Sequence, residues 1–186
     1  RDQWVNSRLI GVLMDNALPS VIAAAVAIPV VAFVFWGRVN AYELGAWVGS
    51  FYLLLIYRYR IVWLYRLRYD SQEGPQREVF VQRYQWTWLL AGVLWGAVVF
   101  LGYARADVGT QLICGLLVVG QSVLTLVSFS PYLPVLRRYA LGVVLAAATG
   151  LLVNAVLYDR AGISLRAVLG LLALLGEGHF LRGLVE

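Results

Sequence analysis

The chain has 186 residues, of which 61% are hydrophobic, and its mean hydropathy is +0.76. This composition leaves too little polar surface to cover a water-soluble globule, so it excludes an ordinary soluble domain and predicts an integral membrane protein. The net charge is +5, carried by 15 arginines and no lysine, and the single cysteine excludes a disulfide framework or a cysteine-rich metal site.

Six apolar stretches follow one another along the chain. A membrane-spanning helix needs about 20 residues, with about 17 to 25 tolerated. We therefore predict an all-α polytopic membrane protein with six transmembrane helices in three hairpins, preceded by a cytoplasmic or interfacial segment over residues 1–16. The transmembrane domain covers residues 17–184, and its predicted spans are 17–36, 41–57, 86–103, 109–129, 139–157 and 162–182.

The arginines are distributed unevenly between alternate connections. Eleven of the 15 lie in the N-terminal segment, in the connections after the second and fourth spans, and at the C-terminus. Short loops rich in arginine or lysine stay in the cytoplasm, so both termini are predicted to be cytoplasmic. This rule and the attraction of basic residues to anionic lipid account for the positive charge, and nucleic acid is not a predicted partner.

The first three spans carry signals for helix geometry and packing. Pro29 predicts a kink in the first span. Gly45 and Gly49 in the second span, and Gly92 and Gly96 in the third, form two GxxxG pairs that allow close approach of helix backbones. We expect these pairs to join helices within one chain, with a dimer seam as the alternative.

Residues 58–85 form the largest cytoplasmic connection, and it is basic and aromatic. Its first part, 58–69, is predicted to extend the second helix beyond the bilayer. Residues 71–76 contain turn chemistry and interrupt the helix, which restarts over 77–85. The hairpin is either a solvated connector that touches lipid or a docking surface for a cytoplasmic domain.

The fourth span carries polar residues on one helical face. The spacing of these residues matches the helical period, and polar groups at membrane depth are costly unless they have partners. Glu43, Ser50 and Asn154 are candidate partners. The face is either a packing seam or a binding site for a hydrophobic small molecule, and its members are Thr110, Cys114, Gln121, Thr125 and Ser128.

Enzymatic chemistry is not predicted for this segment. The sequence holds none of the usual nucleophile, zinc-protease or phosphate-loop motifs. Glu177 and His179 lie close together, but His179 is the only histidine, and a metal or haem site needs more ligands. Neither a metal nor another cofactor is therefore expected. The predicted outer loops contain only four or five residues, so a signal must arrive through the membrane, at its outer interface, or from the cytoplasm.

Five short features carry a family resemblance: NALPS at 16–20, Trp36, Arg58, AGVLWG at 91–96, and SPYLP at 130–134. Together they resemble the six-helix membrane-associated sensor (MASE-type) domains of bacteria, which precede GGDEF, EAL or histidine-kinase output domains. The resemblance spans the whole chain and implies an inner-membrane location, a homodimer, and transmission through the helix that leaves the last span.

Glu177, His179 and Arg182 lie on that predicted output path. The expected function is a sensory input domain that passes a membrane signal to a cytoplasmic diguanylate cyclase, phosphodiesterase or histidine kinase. Two alternatives remain. One is a small transporter or channel subunit that uses the polar face of the fourth span, and the other is a structural subunit of a membrane complex.

Overall fold

The computed structural model describes residues 2–70, 74–102 and 108–157. These residues form six α-helices and contain no β-strand, which confirms the predicted all-helical class. In chain order the helices are α1 (Asp2–Phe35), α2 (Ala41–Arg68), α3 (Gly74–Tyr84), α4 (Trp86–Gly102), α5 (Val108–Phe129) and α6 (Leu133–Leu157).

Four helical stretches in this part of the chain are long and apolar enough to cross a membrane: Ser7–Phe35, Pro75–Leu101, Gly109–Phe129 and Leu133–Val153. They contain most of the predicted first, third, fourth and fifth spans. The predicted second span lies on α2, which is not among the four, because its apolar stretch is short and lies between Glu43 and Arg58. The sixth predicted span lies outside the described residues.

Three helices begin before the predicted bounds. The helix that was predicted to restart at residue 77 begins at Gly74, inside the predicted break. The segment predicted as a separate N-terminal region is helical and continuous with the first span, since α1 begins at Asp2. The helix predicted to begin at residue 139 begins at Leu133, so that Pro134 occupies the first turn, where its missing N–H has no intrahelical role. The predicted extension of the second helix is confirmed, because α2 continues to Arg68.

The N-terminal half of α1 packs against α3 and the distal half of α2. Ile10, Leu13 and Met14 of α1 are buried at helical spacing. Phe80 of α3 contacts the ring of Tyr65 on α2 with a centroid separation of 5.6 Å. Burial raises the pKa of the Tyr65 hydroxyl, which has no hydrogen-bond partner. This helical cluster gives the predicted cytoplasmic connection an apolar core of its own.

A side-chain hydrogen bond joins the C-terminal half of α1 to the N-terminal half of α2. Pro29 has no N–H, so the carbonyl of Ala25, four residues earlier, loses its helical donor. The Tyr52 hydroxyl of α2 donates to that carbonyl at 3.1 Å. A freed carbonyl at membrane depth must find a donor within the protein, and Tyr52 supplies it. The proline thereby creates a specific attachment between the two helices.

The closest helix pair is α4 and α6, and glycines allow it. A Cβ atom on Gly92 would lie 2.1 Å from the Tyr139 carbonyl oxygen, and one on Gly96 would lie 2.5 Å from that of Val143. From the opposite side, a Cβ on Gly142 would lie 2.3 Å from the Leu89 carbonyl oxygen. The backbones are therefore in direct contact, and no side chain larger than hydrogen fits at these positions.

The second predicted glycine pair has a different environment. A Cβ on Gly45 or Gly49 would meet no atom within 4 Å. Instead, α2 reaches α4 through large side chains: Trp47 donates its indole N–H to the Leu94 carbonyl at 2.7 Å, and its ring lies 6.2 Å from that of Trp95. The pair Gly92 and Gly96 therefore packs against α6, whereas no described helix packs against Gly45 and Gly49.

Candidate functional site

A cavity of about 270 Å³ lies between α1 and α5. From α5, the side chains of Gln121, Thr125 and Ser128 line it, and from α1 it is lined by Asn16 and Ser20 together with small apolar residues. Three members of the predicted polar face of the fourth span therefore share this cavity. The segment 16–20, one of the features behind the family resemblance, forms part of the opposite wall.

The hydroxyl groups of the cavity are oriented by their own helix. Thr125 donates to the Gln121 carbonyl at 2.7 Å, and Ser128 donates to the Leu124 carbonyl at 3.0 Å. This back-bonding satisfies the hydroxyl protons and leaves the oxygen lone pairs as acceptors. The Gln121 amide supplies both a donor and an acceptor. The cavity therefore has polar groups on both walls, and the apolar side chains on the α1 wall are small.

Thr110, also assigned to the polar face, lies away from the cavity. Its hydroxyl accepts a hydrogen bond of 2.7 Å from the guanidinium of Arg38, which lies in the turn between α1 and α2. Thr110 is fully buried. This contact joins the first loop to the beginning of α5, at the end of the helix opposite Ser128. The predicted polar face thus divides into an attachment point and a cavity wall.

Glu43 and Ser50, two described residues that were predicted to partner the polar face, do not line the cavity. Glu43 lies in the first turn of α2, three residues after the N-cap residue Asn40. Ser50 is exposed on the same helix. Cys114 and Asn154 lie on α5 and α6, and the positions of their side chains are outside what the structure describes. The predicted output residues Glu177, His179 and Arg182 lie outside the described residues.

A second polar cluster was missed by the sequence interpretation. Arg58, treated there as one of the topogenic arginines, is only 6% exposed. Its Cζ atom lies 5.5 Å from the centre of the Trp88 ring and 5.8 Å from that of Phe129. Tyr139 of α6 packs against Phe129 with ring centroids 5.6 Å apart. One arginine is therefore enclosed by aromatic side chains from three other helical segments.

A signal for this burial is present in the sequence. Leu54, Ile61 and Tyr65 are buried, and Arg58 falls on the same helical face at spacings of four, three and four residues. The neighbouring Arg60, by contrast, is exposed. An arginine that interrupts an apolar stripe is distinguishable from arginines on the solvated face. Topology is predicted by counting the positive charges in each loop, and such a count does not separate a buried arginine from an exposed one.

The cavity and the arginine cluster are adjacent. The Tyr139 hydroxyl lies beside the side chains of Gln121 and Thr125, which line the cavity, and it also interacts electrostatically with Arg58. It makes no hydrogen bond of normal geometry. On α1, Ala17 lies against Arg58, one residue after the cavity-lining Asn16. Tyr139 thus lies between the cavity and the buried charge.

Within the described residues, no group of three or more histidine, cysteine, aspartate or glutamate side chains is placed to hold a metal ion. The polar groups that the described site offers to a ligand are the side chains of Gln121, Thr125 and Ser128 and, beside them, the charged Arg58.

No protein-family model, curated protein or solved structure matches the chain.

Proposed function

We propose that the chain is a membrane-embedded sensory input domain of a bacterial signalling protein, and that its signal is a membrane-soluble ligand bound between α1 and α5. The observation that supports this proposal is the cavity of about 270 Å³ with Gln121, Thr125 and Ser128 on one wall. Small-molecule sites are mostly apolar concavities with a few placed polar groups, and they commonly lie between the helices of a bundle.

The difference in packing between two helix pairs supports a role in transmission. Along α4 and α6 the backbones are in contact through glycines such as Gly92 and Gly142, so this pair forms a rigid unit. Between α1 and α5, a cavity takes the place of such contact. A ligand that binds one arrangement of α1 better than another shifts the population toward it. We propose that α1 and α5 move relative to each other when the cavity is filled.

The proposed topology has six spans, with α2 and residues 162–182 as the additional two, and both termini in the cytoplasm. The protein then lies in the bacterial inner membrane as a homodimer. The movement passes through the last helix to a cytoplasmic diguanylate cyclase, phosphodiesterase or histidine kinase. The arginine distribution and the family resemblance support this arrangement, which places the N-terminal half of α1 and all of α3 on the side of the output domain.

Spin labels on exposed positions test the movement. In a Cys114→Ser background, the pair Ile22→Cys and Val123→Cys reports the distance between α1 and α5. The pair Leu90→Cys and Leu145→Cys on α4 and α6 is the matched control; all four labelled positions are exposed. The proteins are reconstituted in nanodiscs, and oleate, oleyl alcohol and decylubiquinone are added in turn, followed by a bacterial membrane lipid extract.

We expect at least one addition to change the α1–α5 distance distribution while the α4–α6 distance stays constant. An unchanged α1–α5 distribution with every addition would contradict the proposal. Flux measurements in proteoliposomes address the alternative. Substrate-driven transport that Gln121→Leu abolishes would replace the sensor proposal with a transporter or channel.

A further inference from the structure

Arg58 carries a buried positive charge without a counter-charge in the described structure. Arg58 is 6% exposed, and its Nη2 atom has no hydrogen-bond partner. The arginine side chain stays protonated in proteins, so burial does not neutralise it. The aromatic rings of Trp88 and Phe129 attract the guanidinium through their π-faces. Rings, however, do not accept the directed hydrogen bonds that its N–H groups offer.

Two further unsatisfied groups lie in the same cluster. The indole nitrogen of Trp88 is buried and has no hydrogen-bond partner. The buried Tyr139 hydroxyl makes no hydrogen bond of normal geometry, although Gln121 and Thr125 lie beside it. An indole N–H and a guanidinium are donors only, and a phenol can donate as well. Three helices, α2, α4 and α6, thus contribute donors to one region. Buried polar groups are nearly always satisfied in proteins. The side-chain oxygens of Gln121 and Thr125 lie beside Tyr139, but Arg58 Nη2 and the Trp88 indole have no acceptor among the described residues, and the charge of Arg58 favours an anionic one.

The arginine cluster borders the cavity. The Tyr139 hydroxyl lies beside Gln121 and Thr125, which line the cavity, and it interacts with Arg58 on its other side. A gap of about 10 Å³ separates Arg58 from Met14 and Ala17 of α1. That gap is about the size of one water molecule. Tyr139 therefore connects the polar wall of the cavity with Arg58.

We propose that the α1–α5 cavity binds an acidic amphiphile, whose anionic oxygens are held by Arg58, Trp88 and Tyr139 and whose acyl chain occupies the cavity. This inference rests on the proposed function and specifies its ligand. The cavity volume of about 270 Å³ lies near the lower end for ligand sites, about 300 Å³, which favours one acyl chain over two. The shared chemistry is an anionic headgroup oxygen, supplied by a free fatty acid or by an acidic phospholipid.

The test compares charged and uncharged probes with one chain length. Native mass spectrometry of the full chain, released from detergent, measures binding of oleate, oleyl alcohol and dioleoyl phosphatidylglycerol. Arg58→Gln is expected to weaken oleate binding by about ten- to hundredfold, the range for a charge-assisted hydrogen bond, and to leave oleyl alcohol unaffected. Arg60→Gln is the matched control, because it removes an exposed arginine from the same helix.

Tyr139→Phe provides a second measurement if Arg58→Gln fails to fold. It removes only the hydroxyl and is expected to weaken oleate binding in the same direction. Preferential binding of phosphatidylglycerol over oleate, lost in Arg58→Gln, would support the anionic site and assign the phospholipid as its source. Equal binding of oleate and oleyl alcohol to wild type, unchanged in Arg58→Gln, would overturn the inference.

One further variant separates this inference from the proposed function on which it rests. Ala24→Leu fills the cavity. If Ala24→Leu abolishes the binding of both oleate and oleyl alcohol while Arg58→Gln changes neither, the cavity stands as a ligand site and the acidic headgroup is refuted. If Ala24→Leu changes no binding, the proposed function itself fails.

Glu177→Gln tests whether a carboxylate of the chain, outside the described residues, is the counter-ion. If Glu177→Gln lowers thermal stability as much as Arg58→Gln, with no further loss in the double variant, the two side chains pair with each other. That result would also overturn the inference.

Discussion

The contact between α4 and α6 allows a quantitative prediction for Gly92→Ala. The added methyl carbon would lie 2.1 Å from the Tyr139 carbonyl oxygen and 3.0 Å from the Val143 nitrogen, both backbone atoms. Ordinary van der Waals contact begins at about 3.5 Å. The helices must therefore separate by roughly 1 Å, which also loosens the contact at Gly96 and displaces Tyr139 from the arginine cluster.

The expected free-energy change combines two terms. Overpacking costs about 1 to 3 kcal/mol, whereas replacing a helical glycine with alanine stabilises a helix by up to about 1 kcal/mol. Gly45→Ala is the matched control, since a Cβ there meets nothing within 4 Å. It should therefore be neutral or stabilising. We expect Gly92→Ala to be less stable than Gly45→Ala by about 2 kcal/mol, which corresponds to roughly 4 to 8 °C in melting temperature.

The assay is thermal unfolding in a mild detergent, followed by intrinsic tryptophan fluorescence. Trp88 and Trp95 are buried on α4 and report directly on its packing. Equal melting temperatures for Gly92→Ala and Gly45→Ala would refute the close backbone contact between α4 and α6. A lower melting temperature for Gly45→Ala than for Gly92→Ala would instead place a partner helix against α2.

Three further predictions concern side-chain hydroxyl groups and are checked by the same unfolding assay. Tyr52→Phe should lower the free energy of unfolding by about 0.5 to 1.5 kcal/mol, because it removes the donor to the Ala25 carbonyl. In a Pro29→Ala background that carbonyl regains a helical donor, so Tyr52→Phe should cost less stability. An equal cost in both backgrounds would contradict the pairing of Tyr52 with Ala25. Tyr65→Phe removes a buried hydroxyl without a partner and should leave stability equal or higher at neutral pH. Burial raises the folded-state pKa of Tyr65 above its unfolded value of about 10, so ionisation of this hydroxyl leaves the free energy of unfolding unchanged below pH 10 and lowers it as the pH rises through the folded-state pKa. Tyr65→Phe should therefore lose less stability than wild type in an alkaline pH titration. Identical alkaline profiles would contradict the burial of the hydroxyl. Thr110→Val should lower the free energy of unfolding by about 1 kcal/mol, because it removes the acceptor that lies 2.7 Å from the Arg38 guanidinium. Thr149→Val is the control, since Thr149 is exposed and its hydroxyl bonds only within its own helix. Equal effects of the two variants would contradict a role for Thr110 in joining the first loop to α5.

Several features of the fold followed from local patterns. The helical class, the extension of α2 to Arg68 and the position of α4 were all predictable, because hydropathy and turn chemistry act over neighbouring residues. The spacing of Gln121, Thr125 and Ser128 also placed them on one face of α5. The sequence did not predict which residues lie opposite this face, because the facing α1 residues are distant in the chain.

The sequence by itself determined that the chain is helical and apolar, and it indicated where polar groups share a helical face. Only the tertiary structure decided which glycines meet another backbone, since Gly45 and Gly92 have the same local motif and opposite surroundings. It also decided that Arg58 is enclosed while Arg60 is exposed. The physical reason is that hydropathy and period are properties of one helix, whereas close approach and burial depend on which helices pack together.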